Sequence, residues 1–463
     1  MADTLLIDPG FPPADEAAWR ALVSKTLGDK PFESLMKATV EGLPISPLYA
    51  ASERAAGFPP RPFEAGRAWD VRTLSAHPDP ARANAELLAD LQGGAASVIV
   101  QGHATPDALA RALKDVILEL APTGLDAGFR GPQAAQALHT VARSSPGAKL
   151  DLNLDPISAF AGSGASPGPV AAHLAAAATV AADLAQTYPQ ASLFQASGRV
   201  VHEAGGGEAL EVAFAAAAAI AYARALVGAG LTIAEAFARV TLGLSADADY
   251  FVGIAKVRAA RVVFARIATA SGADPLARIE ARSSRRMLTA QDAWTNMIRL
   301  TVAGFGAAVG GADAVVLGTY SDALGLPTTL ARRQSRNAQL VLMEEAHIGK
   351  VTDPAAGSGY IETLTDQIAR AAWTRLQAIE AAGGLVSALT SGLIARDVAA
   401  AVAARGEPKI VGVTAFPPTS PAPVEVEPGG AFPDQPSPRL PGEDSVCPPL
   451  KPIRLSEAYE VAA

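Results

Sequence analysis

Cysteine is nearly absent from this sequence: Cys447 is the one thiol in 463 residues. That excludes an intramolecular disulfide framework and a cysteine-rich metal site, and it fits a reducing compartment. Clustered basic charge is missing too. The formal net charge is −8, and no basic run, zinc finger or RNA-binding aromatic signature occurs, which argues against nucleic acid as a partner. The histidines at 77, 103, 139, 173, 202 and 347 include no pair at metal-ligand spacing. The opening MADTLLIDPGFPPADEAAWR carries acids where a secretory leader needs bases. Long apolar runs are few. VAFAAAAAIAYARALVGAG (212–230) is Ala-rich and broken by Arg224, so it reads as a buried helix and not a membrane span. These absences predict a cytoplasmic protein that binds neither nucleic acid nor membrane.

What is present is a large core, with 49% hydrophobic and 18% charged residues, and four regions of different texture. Residues 1–65 form an arm. A helical pattern runs through AAWRALVSKTLG, then a stretch with proline at 44, 47, 59, 60 and 62 excludes long helices and central strands. Such an arm lies across its own barrel or wraps a partner. In 66–345 the apolar runs ASVIVQG, LDAGFRG, KLDLNLD, SLFQASG and ADAVVLGTY alternate with helical stretches such as PDALARALKDVILEL, PQAAQALHTVAR and LARRQSRNAQLVLMEEA. Alternating strands and helices imply parallel βαβ pairing. With no early glycine-rich phosphate turn, the pattern predicts an α/β fold of the (β/α)8 TIM-barrel type. Residues 346–415 add two helices and a strand-like KIVGVTAF. Residues 416–463 are proline-rich and aperiodic, an extended linker or wrapping segment.

Three motifs carry a chemical reading beside an ordinary one. DPAAGSG (353–359) matches the glycine loop with which adenine-specific DNA methyltransferases hold S-adenosylmethionine. Those enzymes also need an Asn-Pro-Pro-aromatic motif, and none occurs here. HEAGGGE (202–208) has no second histidine at helical spacing, so a strand end turning through three glycines is expected, not a metal site. Arg282, Arg285 and Arg286 form a basic cluster able to touch an anion, with a solvated turn as its ordinary reading.

Longer blocks bear on the family. DYFVGIAKVRAARVVFARI (249–267) resembles NFFxEIAKLRAARxLWAxL, and SSRRMLTAQDAWTNMIRLTVAGFGAAVGG (283–311) resembles TSGWSLTAQDPYNNxxRTxxEAxAAxxGG. LGLPTTLARRQSRNAQLVLMEEA, KVTDPAAGSGYIETLTDQIARAAW and the arm segment EGLPISPLY resemble further blocks of the same set. On these, over most of residues 30–410, the chain is identified as resembling the methylmalonyl-CoA mutases. The resemblance accounts for DPAAGSG without a methyltransferase. It implies a barrel that threads an acyl-CoA along its axis, and a C-terminal cobalamin domain recognised by DxHxxG, whose histidine ligates cobalt.

The chemical positions depart from that pattern. No DxHxxG occurs, and CPPLKPIRLSEAYEVAA resembles the segment leading into the cobalamin domain, so no cofactor is expected on this chain. Where the family reads SGYHMQEAG along a barrel strand, this sequence reads SGRVVHEAG. Arg199 and Val200 replace the Tyr-His pair, and His202 stands two places on, where strand alternation would give it the same face. Loss of a positioned donor or acid costs roughly 10²–10⁴ in rate. The family's LHTN turn reads Val316-Leu317-Gly318-Thr319, and the Glu expected after Asp322 is Ala323. The His-Ser pair of THSQTSG is Glu280-Ala281, an acid opposing the CoA phosphates, and RQYAGF is replaced by AWDVRTLSAHPDP. No catalytic residue is expected; Arg278 and His202 are left as candidates for substrate contact. The resemblance therefore implies the small subunit of a heterodimeric mutase, a component of an isomerase whose large catalytic subunit carries adenosylcobalamin. The alternative is the acyl-CoA-binding barrel of a split mutase with its cobalamin domain on a separate chain.

Overall fold

The computed structural model describes residues 15–51, 58–59, 67–432 and 446–460. Beyond a two-residue hairpin, β1 (Lys37–Ala38) with β2 (Pro44–Ile45), eight parallel strands close into a barrel. They are β3 (Asp70–Ser75), β4 (Ser97–Gln101), β5 (Thr123–Asp126), β6 (Leu150–Leu154), β7 (Ser192–Ser197), β8 (Val240–Ala246), β9 (Arg278–Ser283) and β10 (Ala314–Val316). Each pairs with the next in sequence, and β10 closes on β3 through Val315 and Val71.

Helices follow the strands because the turns carry start signals. Asp79 caps α2 (Pro80–Gln92), Thr105 caps α3 (Pro106–Ala112) and Asp155 caps α5 (Pro156–Ser163). Each places proline at the first helical position, where the missing N–H costs nothing. Between them lies α4 (Gly131–Ala142), and α6 (Val170–Thr187), α7 (Arg199–Glu203), α8 (Glu208–Gly228), α9 (Ile233–Ala238), α10 (Tyr250–Ala270), α11 (Asn296–Val309) and α12 (Thr329–Leu340) complete the ring. The Ala-rich α8 is long and apolar enough to cross a membrane by composition, but it is a core helix with 213–219 all buried. Its small side chains let it pack directly on β7 and β8.

Several elements differ from the sequence reading. KIVGVTAF is a turn with one bridge, Val411 to Ala415, and not a strand. The helix expected through 120 ends at Ala112. The second C-terminal helix is two, α14 (Leu385–Thr390) and α15 (Leu393–Ala404), split at Gly392, whose φ of 74° breaks the helix. α13 (Gly359–Ala381) starts at Ser358, which caps it, so DPAAGSG is a helix-entry loop. There Arg258 of α10 meets Asp353 and Glu362, joining two of the family-like blocks by ion pairs.

Segments of the arm and of the tail lie on the barrel. In the arm, Glu41 accepts from the backbone N–H groups of Ala209 (2.7 Å) and Leu210 (3.1 Å). α8 has no side-chain cap of its own, so Glu41 supplies the anion its N-terminus favours. The α1 helix (Glu16–Leu27) before it buries no residue. The tail runs around the C-terminal rim of the barrel: Glu427 N–H donates to Leu326 O, Cys447 to Gly164 O, Leu450 to Ala161 O, Ile453 to Glu203 O and Leu455 to Arg286 O.

Candidate functional site: the barrel bore and its C-terminal mouth

Barrel enzymes place their chemistry at the C-terminal ends of the strands, and here the bore beneath that mouth is filled with charge. Arg72 of β3 reaches across it: Nη1 to Glu280 at 2.9 Å, Nη2 to Asp70 at 3.0 Å and to Asp151 at 2.7 Å, and Nε to Ser97 at 2.8 Å. Glu280 also accepts from Arg282 Nε (2.7 Å) and Gln195 Nε2 (2.8 Å), and Arg282 Nη1 pairs with Asp126 at 2.6 Å. Burial alone would push the Glu280 carboxyl up, but Arg282, Arg72 and Arg199 outweigh it and hold it below the ordinary range. Its side chain is 1% exposed. Multiple charge-assisted bonds of this kind offset the desolvation of the buried charges.

Above this plug sits Arg199, at the start of α7. It donates to Ser197 Oγ (3.0 Å) and Gln195 Oε1 (2.9 Å) but has no carboxylate within ion-pair distance among the described residues. Burial, then the neighbouring Arg282, lowers its pKa to about 10. SGRVVHEAG is therefore not one strand. β7 ends at Ser197 and the chain turns helical, because Gly198 packs against the Glu211 carbonyl so closely that no Cβ fits. Strand alternation does not relate Val200 to His202. HEAGGGE is likewise the end of a helix, not of a strand.

His202 lies behind the bore, fully buried, with Nδ1 3.1 Å from Glu211 and Nε2 3.0 Å from Asp247. Lys256 Nζ meets Glu211 at 2.6 Å and Arg286 Nη2 meets Asp247 at 2.7 Å. Burial raises the Glu211 carboxyl, yet Lys256 and His202 together bring it down to about 2. This cluster ties α7, α8, α10 and the strand ends together and presents nothing to the mouth. Arg286, 3% exposed, is part of it and not of a solvated turn. Arg278 stands exposed at the N-terminal end of β9, the opposite face from the mouth. The two substrate-contact candidates are thus separated from each other and from the mouth. Ala323 does line the mouth, beside Asp322, Thr319 and Gly318.

Residues 104–429 match the protein family described as methylmalonyl-CoA mutase. The chain belongs to the methylmalonyl-CoA mutase family. Its curated relatives include the methylmalonyl-CoA mutase small subunit of Streptomyces virginiae, 38% identical over 99% of this chain and 77% of that protein. The probable small subunit of Mycobacterium tuberculosis is 38% identical over 79% of the chain and 63% of its own length. The small subunit of Propionibacterium freudenreichii subsp. shermanii is 34% identical over 93% and 73%. The match thus spans about two thirds to three quarters of these relatives' lengths.

His202 faces two carboxylates, and His103 Nε2 lies 3.1 Å from the His77 carbonyl oxygen. The bore residues Arg72, Asp126, Asp151 and Gln195 escaped the sequence reading. For Arg72 the signal was Asp70 and Arg72 at alternate positions of DVRTLS, as Glu280 and Arg282 alternate in RIEARS, strands whose inner face is charged.

Proposed function

We propose that this chain is the small, non-catalytic subunit of a heterodimeric methylmalonyl-CoA mutase, and that it acts in the cytoplasm. In this reading a separate large subunit binds adenosylcobalamin, which supplies the radical, and interconverts methylmalonyl-CoA and succinyl-CoA. The observation that carries it is the closed bore: Arg72, Glu280 and Arg282 occupy the axis along which the family threads its acyl-CoA. The Tyr-His pair replaced by Arg199 and Val200 and the printed names of the relatives support the same reading. The role left to this barrel is that of a rigid partner surface. Co-expression with a large mutase subunit should yield a stable one-to-one complex with isomerase activity, whereas this chain with adenosylcobalamin alone should show none. Turnover by the isolated chain would overturn the proposal. Calorimetry with an acyl-CoA separates it from a split catalytic barrel, which requires stoichiometric binding to this chain.

A further inference from the structure

Between the ends of β9, β10 and β3 the mouth holds a cavity of about 540 Å³, within the range of small-molecule sites. Arg282, Thr73 and Gln101 line it from the barrel side, Gly318 to Pro327 form one wall, and Gly429 of the tail lies over it. Two buried polar atoms on its lining residues, Arg282 Nη2 and Thr73 Oγ1, have no hydrogen-bond partner among the described residues. Such groups are costly unless something satisfies them.

Its charges are unevenly spent. Asp90 is fully engaged by Arg332 and by Arg336 (2.8 Å). Asp322 accepts from the backbone and hydroxyl of Thr319, and burial pushes its carboxyl up, toward the neutral form. Both carboxylates that face the cavity thus have partners of their own, two arginines for Asp90 and Thr319 for Asp322. Arg285, exposed on the rim, makes no ion pair among the described residues; its Nη2 donates to the Asp322 carbonyl (2.7 Å) and its backbone N–H to Glu203 (3.3 Å). A fixed guanidinium with spare donors above, and a second with a free nitrogen below, suit an oxyanion.

We propose that this cavity binds a small organic oxyanion, a carboxylate or a phosphate monoester, between Arg285 and Arg282. The site uses positions where the family pattern has glycine and glutamine, and it ends on the closed bore, so it is not a remnant of the acyl-CoA path. It requires no large subunit. The test is calorimetry on the full chain with inorganic phosphate and with citrate, separately, at ionic strength fixed with chloride. Saturable one-to-one binding of either is expected, and which one binds distinguishes phosphate from carboxylate. Arg285→Ala should weaken it roughly tenfold or more, Arg285→Lys less, and Ala323→Trp, which fills the cavity, should abolish it. If one variant fails to fold, the other decides. No saturable binding of either anion up to about 10 mM, or binding unmoved by these substitutions, overturns the proposal.

Discussion

Two buried ionic clusters lie within one barrel and differ in kind. The bore network is made by side chains on strands, all pointing inward, and every acid in it shares its cation with another acid: Arg72 alone meets Asp70, Asp151 and Glu280. The cluster behind α7 is made by helices and loops, and among the described residues Lys256 pairs there with Glu211 alone. The first is a redundant filling. The second leaves Lys256 without a second carboxylate among the described residues. A redundant network tolerates loss of one member because the remaining charges re-pair, whereas a single pair stripped of its partner leaves an uncompensated buried charge.

The comparison is best broken at Glu211. Glu211→Ala should cost about 3–5 kcal/mol in denaturant unfolding, the loss expected for an orphaned buried cation. Glu280→Ala should cost less, on the order of 2 kcal/mol, because Asp70, Asp151 and Asp126 still hold the two arginines. Equal losses would show that the bore is not redundant. A pH series sharpens the contrast. The folded pKa of Glu211 is depressed from 4.5 to about 2, so its stabilisation is present above pH 4.5 and lost as pH falls toward 2. Equilibrium stability should fall steeply across that window, and Glu211→Gln should flatten the slope. Glu41→Gln removes the anionic cap of α8 while keeping a weaker acceptor, and should cost about 1 kcal/mol. Limited proteolysis should then cut the arm near residues 37–50 faster, with the barrel itself intact. The smallest effect concerns Cys447. Burial pushes its thiol up to about 11, so it should resist thiol reagents in the native chain at neutral pH and react promptly once the tail is released.

The barrel was legible wherever strands carry apolar residues on both faces, as β4, β6 and β7 do. β3, β8 and β9 were missed for a physical reason. DVRTLS and RIEARS put charge toward the axis, inverting the pattern that marks a half-buried strand, and VTLGLSA lies against a helix that also reads as apolar. The departures at Arg199, Val200 and Ala323 could be read from the sequence, since they are substitutions in recognisable blocks. Their geometry could not. That Gly198 packs on the Glu211 carbonyl, and that Glu280 meets Arg72 from a strand 208 residues away, depends on closure of the barrel, a long-range event with no local trace. The conserved-looking blocks themselves turned out to hold helices to one another, as Arg258 does with Asp353 and Glu362.

The tail's path around the rim sets an order of events in time. Its anchors on Gly164, Ala161, Glu203 and Arg286 belong to segments after β6, β7 and β9, so the docking surface exists only when the barrel has closed. Docking of residues 446–460 therefore follows barrel closure, and burial of the Cys447 sulfur marks that step. A nascent or refolding chain pulsed with a thiol reagent would carry the label until that step finishes, which makes the lone cysteine a built-in reporter of when the rim is sealed.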